Sequence, residues 1–209
     1  MEKEKLERLS AFINENKGKR KFTQSVELAI NFMELDMNKP ANRLNLEVKL
    51  PNGKGKAQKV IVFAEDKAIS EKAQQAGARI VNNAEAQTMA NDKLRLNELL
   101  KYEMLAQPSM MPSLAKMFGQ FLGPRNKMPK PLIGQDVKQA VENITNSIYI
   151  RSKGKYLPTV HCIVGNESME IEKIAQNIDE VLGSVAKKVG KQYIRSVYVK
   201  LTMSPPIKL

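Results

Sequence analysis

The spacing of apolar residues changes character twice along the chain, near residue 58 and again near 149. Before the first change, residues 2–16 place Leu6, Leu9, Phe12 and Ile13 on one stripe and predict a helix, which the basic run Lys17-Gly-Lys-Arg-Lys21 ends. Phe22, Gln24, Val26, Leu28 and Ile30 then alternate with Thr23, Ser25, Glu27 and Ala29, the period of a strand with one mainly apolar face. Asn42–Leu50 alternates again, with Leu44, Leu46, Val48 and Leu50 inward, and Pro51-Asn-Gly-Lys-Gly-Lys56 has the residues of a loop.

In the middle the strands lose their alternation. Val60–Ala64, Ala78–Val81 and Tyr102–Ala106 are short apolar runs of the kind covered on both faces. Helical patterns separate them: one with Ala68, Ile69, Ala73 and Ala76 that stops at Gly77, one across 84–100, and one over Pro108–Phe121 with Pro112 in its first turn. This order predicts a small α/β layer with a parallel sheet. Met110, Met111 and Met117 are expected to fill its core. Gly123–Pro131 is a rigid basic loop, and 134–146 is a last helix. Alternation then returns. Ser147–Ile150 and Thr159–Val164 are expected to form a hairpin through Lys153-Gly154-Lys155, followed by an amphipathic helix over 169–189 and a final strand Ser196–Met203. The prediction is one domain inserted into another: 1–58 with 149–209 form a discontinuous α+β domain, and 59–148 a parallel α/β domain.

Composition narrows the class. With 209 residues, 42% hydrophobic and 27% charged, the chain has a globular composition and room for two small cores. The longest apolar run is far below the roughly 20 residues of a bilayer span, so no membrane partner is expected. The first residues have no apolar signal core, and Cys162 is a single cysteine, so a reducing, cytoplasmic location is expected. Thirty-four basic against 22 acidic side chains give +12, the electrostatic footprint of a nucleic-acid-binding protein. Residues 1–60 and 151–209 each carry +5, and residues 61–150 only +2.

Catalytic patterns are weak. There is no phosphate-binding P-loop signature, and Gly53-Lys-Gly55 lacks a third glycine and precedes a strand, which puts no helix N-terminus behind a phosphate. His161 and Cys162 are adjacent on a strand, so their side chains face opposite ways and cannot share a metal or act as base and nucleophile. No cofactor, metal or catalytic residue is expected, and the chain is not expected to be an enzyme.

Four blocks then resemble a known family: Lys21-Phe-Thr-Gln-Ser-Val-Glu-Leu28, Leu122-Gly-Pro-Arg-Asn-Lys-Met-Pro-Lys-Pro131, Val164-Gly165, and Ser196-Val-Tyr-Val-Lys-Leu-Thr-Met203. They are similar to the ribosomal protein L-one family in its archaeal form, in family order and over nearly the whole chain. The resemblance implies an rRNA-binding domain built from both chain ends and a Rossmann-like middle domain without a nucleotide. It implies a monomer when free, which binds large-subunit rRNA at the mobile stalk among other ribosomal components. It further implies help in releasing deacylated exit-site tRNA and repression of the chain's own mRNA. A free-standing RNA-binding regulator of the same fold is the alternative.

Carried over to this chain, the resemblance puts Phe22, Thr23, Ser25, Glu27, Gly165, Asn166, Thr202 and Met203 on the RNA surface. Lys19, Arg20, Lys21 and Lys200 add charge, and Arg125, Lys127 and Lys130, the one concentrated basic feature of the middle domain, are expected to make a secondary, transient contact with rRNA or tRNA. Thr23, Ser25, Thr202 and Ser204 offer short hydroxyls to 2′-OH and phosphate. Phe22 and Met203 either offer apolar surface to sugar or base, or are core at strand ends. Glu27 either holds an arginine or accepts from a 2′-OH. Ser204 and Asn126 stand where the family usually has glycine; the serine is expected to loosen a close contact, whereas asparagine tolerates a left-handed backbone.

Overall fold

The computed structural model describes residues 3–36, 39, 42–133, 136–152 and 157–209. In chain order the elements begin α1 (Lys3–Asn16), β1 (Ser25–Phe32), β2 (Asn45–Lys49), β3 (Lys59–Phe63), α2 (Lys67–Gln75), β4 (Arg79–Val81), α3 (Asn83–Asn91), α4 (Lys93–Leu99) and β5 (Tyr102–Ala106). They continue with α5 (Met111–Leu122), β6 (Lys130–Pro131), α6 (Val137–Asn146), β7 (Ser147–Arg151), β8 (Thr159–Asn166), α7 (Ile171–Val189), β9 (Ile194–Leu201) and β10 (Ile207–Lys208). Contacts divide the chain into two compact units, Met1–Lys56 with Asn146–Leu209, and Ala57–Thr145.

The first unit holds an antiparallel sheet in the order β10-β9-β1-β8 and a two-stranded sheet β2-β7. On β1, Val26, Leu28, Ile30 and Phe32 face one core with Leu9 and Ile13 of α1 and Ile174, Ile178, Val181 and Val185 of α7. A one-residue slip of β1 would turn all four outward. At about 1.5–3 kcal/mol per buried side chain this costs roughly 6–12 kcal/mol, comparable to the whole stability of a domain. Burial therefore fixes the register, and with it the residues at the strand's end. Gly190, at φ +102, ends α7.

The second unit is a parallel sheet, β4-β3-β5-β6, covered on both faces. Ile61 and Phe63 pack with α3 and α5, while Val60, Val62 and Ala64 pack with α2 and α6. Met110 is buried in the first cluster, with Met111 and Met117 packed against it.

Several expectations are corrected. The hairpin of 147–150 with 159–164 does not form: β7 pairs with β2, from Asn45↔Arg151 to Lys49↔Ser147, and β8 pairs with β1. β2 leads out to the second unit and β7 leads back, so the two are natural antiparallel neighbours, joined further by Leu50 N donating to Asn146 O at 3.0 Å. The expected tip, Lys153-Gly154-Lys155, lies outside the described residues. The first strand begins at Ser25, which leaves Phe22 and Thr23 in the preceding segment. The last long strand ends at Leu201 in a turn closed by Ser204 N donating to Leu201 O (3.1 Å), and β10 follows it. Residues 84–100 form two helices because the Asp92 carboxylate caps the second, accepting from Leu94 N at 2.8 Å. The 134–146 helix starts at Val137, and residues 134 and 135 are outside the described set. The 123–131 loop ends as an edge strand, where Pro131 needs no ladder donor on its open side.

Candidate nucleic-acid interface

Sequence periodicity puts Gln24 on the apolar face of β1, one residue before the strand starts. It is only 2% exposed, and it joins three segments. Its Nε2 donates to Asn16 O at the end of α1 (3.3 Å) and to Glu167 Oε2 beyond β8 (3.2 Å). Its Oε1 accepts from Met203 N (3.1 Å), and its main-chain carbonyl accepts from Glu167 N (3.0 Å). Buried polar groups must be paired, so each of these bonds fixes a loop that would otherwise move freely. Neither Gln24 nor Glu167 was singled out from the sequence. The available signal was a polar residue on an apolar face, which alone does not say what it binds.

Around this hub the candidate residues fall into an ordered cluster. Ser25 N donates to Thr202 Oγ1 (3.1 Å) and Thr202 N to Ser25 O (3.2 Å), so the threonine fastens the end of β9 to the start of β1. Ser204 Oγ accepts from Leu201 N (2.9 Å) and donates to Pro205 O (3.0 Å). Serine thus closes the turn itself, and its φ is not in the left-handed range. Glu27 meets Lys200 (3.7 Å), not an arginine; both are about one-third exposed, so the pair is worth about 0–1 kcal/mol. Lys200 also donates to Thr202 O (3.3 Å).

Phe22 and Met203 are 51% and 57% exposed, which removes the alternative that they are core residues. Gln24 holds the main chain at Met203 and ties itself back to Asn16, so it joins the two ends of the exposed 17–23 segment that carries Phe22. Lys19, Arg20, Lys21 and Thr23 are exposed on the same 17–23 segment. Gly165 and Asn166 come next to this cluster through the pairing of Ser25 with Asn166, but Gly165 is buried and the half-exposed Asn166 has its amide engaged within the protein. A Cβ at Gly165 would meet Met169 Sδ at 3.0 Å. The Asn166 amide donates to Gly55 O (2.7 Å) and accepts from Ser168 N (3.0 Å).

The loop of the second unit is arranged differently. Arg125 lies 4.1 Å from the centre of the Phe121 ring and donates to Phe121 O (2.8 Å). Lys127 pairs with Glu103 at 2.8 Å, and Lys130 sits in β6 beside Leu105. Asn126 takes the left-handed conformation, φ +53, so the loop keeps the backbone that glycine would permit. At the C-terminal ends of the parallel strands, where α/β proteins hold phosphates, Gln107 Oε1 accepts from Glu65 N (3.2 Å) and Asp66 N (3.4 Å). A side-chain carbonyl thus occupies the amides at the start of α2, beside two carboxylates. Cys162 is buried, and burial pushes its thiol up to about 12, while His161 faces outward from the next position. Among the described residues no three His, Cys, Asp or Glu side chains gather as a metal site, and no helix is long and apolar enough to cross a membrane.

An α+β unit made from both chain ends, with a doubly covered α/β unit between its halves, defines the class. Comparison makes it specific. The model of the Ribosomal protein L1p/L10e family matches residues 11–205, and the chain belongs to that family, of the archaeal type. The chain is similar to the large ribosomal subunit protein uL1 of Pyrococcus abyssi, 40% identical over 91% of this chain and 88% of that protein. It is likewise similar to uL1 of Archaeoglobus fulgidus, 38% identical over 100% of this chain and 99% of that protein, and to uL1 of Thermoplasma acidophilum, 37% identical over 94% and 92%. The family is structural and non-enzymatic.

Proposed function

We propose that the chain is a structural constituent of the cytoplasmic large ribosomal subunit, bound to rRNA at the mobile stalk beside the exit site through its first unit. The observation that carries this is the Gln24 cluster: it holds the main chain at Met203 and joins the ends of the segment that carries Phe22, while both side chains stay exposed. Main chain held at these points before RNA arrives loses less entropy on binding. The first unit also carries 22 basic and 13 acidic side chains, against 12 and 9 in the second. RNA junctions are read by shape, 2′-hydroxyls and unstacked bases, which suits an exposed Phe and Met beside short hydroxyls.

In this role the second unit is the inserted domain that moves with departing tRNA, and the protein assists release of deacylated tRNA. A similar junction in its own mRNA would let it repress translation. The free protein is a monomer. Co-sedimentation with large subunits, followed by a footprint on their rRNA, tests the assignment: protection at the stalk junction is expected, and absence from the subunits would refute it.

A further inference from the structure

The loop Pro51–Lys56, between β2 and the second unit, is held far more firmly than a connecting loop requires. Asn177, fully buried on α7, donates to Gly53 O (2.9 Å) and Val164 O (2.8 Å) and accepts from Asn52 N (3.1 Å). Asn52 Nδ2 in turn donates to Gln176 Oε1 (2.8 Å) and Lys173 O (3.2 Å). Gly53 and Gly55 are both left-handed, at φ +64 and +71. A Cβ would lie 2.8 Å from Asn146 Oδ1 at the first and 2.5 Å from Met169 Sδ at the second. Only glycine fits this close approach. The last tie is the Asn166 amide, whose bond to Gly55 O joins the loop to the start of β1.

We infer that this loop is a further phosphate-contacting arm of the RNA interface, with Lys54 and Lys56 as its charges and Asn166 as the residue that positions it. The inference rests on the reading of the first unit as the RNA-binding one. Three observations lead to it. Asn166 spends both ends of its amide inside the protein, so its effect on RNA passes through the loop it holds. The stretch 51–60 carries three lysines and no acid. Gly53 and Gly55 let the main chain pack against Asn146 and Met169 on either side of Lys54, which fixes the course of the loop. Lysines carried on a main chain that is already held also lose less backbone entropy on binding than lysines on a mobile loop.

The test uses the full chain and a large-subunit rRNA fragment spanning the stalk junction, titrated across a range of salt. Lys54→Ser with Lys56→Ser should weaken binding about tenfold at moderate salt and lower the salt slope by about 1.4–1.8, the value for two lost phosphate contacts. Lys187→Ser with Lys188→Ser, the same charge change about 15–20 Å further along α7, should leave affinity within about twofold and the slope unchanged. Asn166→Ala should reproduce part of the slope change, and should add nothing in the Lys54/Lys56 background. If wild type prefers the junction while the two double variants behave alike, the loop's role is overturned and the interface stands. If wild type binds the junction no better than an unrelated helix, the interface reading falls, and the loop's role with it.

Discussion

The residues around Gln24 and the 123–131 loop both carry the sequence marks of an RNA surface, and the two regions use their polar groups in opposite ways. In the first, buried amides and hydroxyls hold main chain, which leaves Phe22, Met203 and the 19–21 cations outside. In the second, the cations are themselves the ties: Arg125 is held by Phe121 and Lys127 by Glu103. A count of basic residues does not distinguish a charge offered to a partner from one spent on the fold.

The largest effect should follow from breaking the hub. Gln24→Ala leaves Met203 N and the Glu167 carboxylate without this partner, at about 1–3 kcal/mol for each buried group left unpaired. Thermal unfolding should shift down accordingly, and RNA affinity should fall further than stability explains, because both flanking segments loosen. Unchanged affinity in a destabilised variant would mean that preorganisation at Gln24 is irrelevant to binding.

Next in size are the exposed apolar residues. Phe22→Ala and Met203→Ala should each lose on the order of 1–3 kcal/mol of junction binding, if they stack on or pack against RNA, at a nearly constant salt slope. Lys19→Ser or Arg20→Ser should instead lower the slope by about 0.7–0.9 and weaken binding to every RNA alike. Equal slopes and equal losses for both kinds of variant would erase the difference between shape-reading and charge.

Changing Arg125, Lys127 and Lys130 together to Ser tests the other side of the comparison. Junction binding should stay within a few-fold, whereas tRNA release from assembled ribosomes should change. The second unit should also lose about 1–2 kcal/mol of stability, since Glu103 is left without its lysine and Phe121 without its cation. A loss of junction binding by orders of magnitude would put the anchor on this unit.

The smallest effect concerns Cys162. Its folded pKa of about 12 lies above the ordinary value of 9.0, so the folded state holds the thiol proton more tightly. Its contribution to stability is complete below about pH 9 and declines as pH rises toward 12. The stability difference between wild type and Cys162→Ala should be flat to about pH 9 and shift against wild type above it. Thiol reagents at pH 8 should label the native protein far more slowly than the unfolded one.

Most of the fold was legible because burial has a period. Leu44, Val48 and Leu50 alternate, α7 carries its apolar stripe, and β3 is apolar on both faces, so their environments could be read directly. Strand pairing was not legible in the same way: β7 and β8 have compatible patterns, and only the path of the chain through the second unit puts β7 beside β2. The candidate site was partly visible through its hydroxyls and exposed hydrophobics. Its organisation was not, because Gln24, Glu167 and Asn177 act through partners as distant in sequence as 179 residues, which no local pattern encodes.

Hydrogen exchange of the full chain, with and without the stalk rRNA fragment, tests the central claim most directly. RNA should slow exchange at residues 19–25 and 201–204 while leaving 123–131 unchanged. Protection concentrated on 123–131, with 19–25 and 201–204 exchanging as in the free protein, would contradict the account.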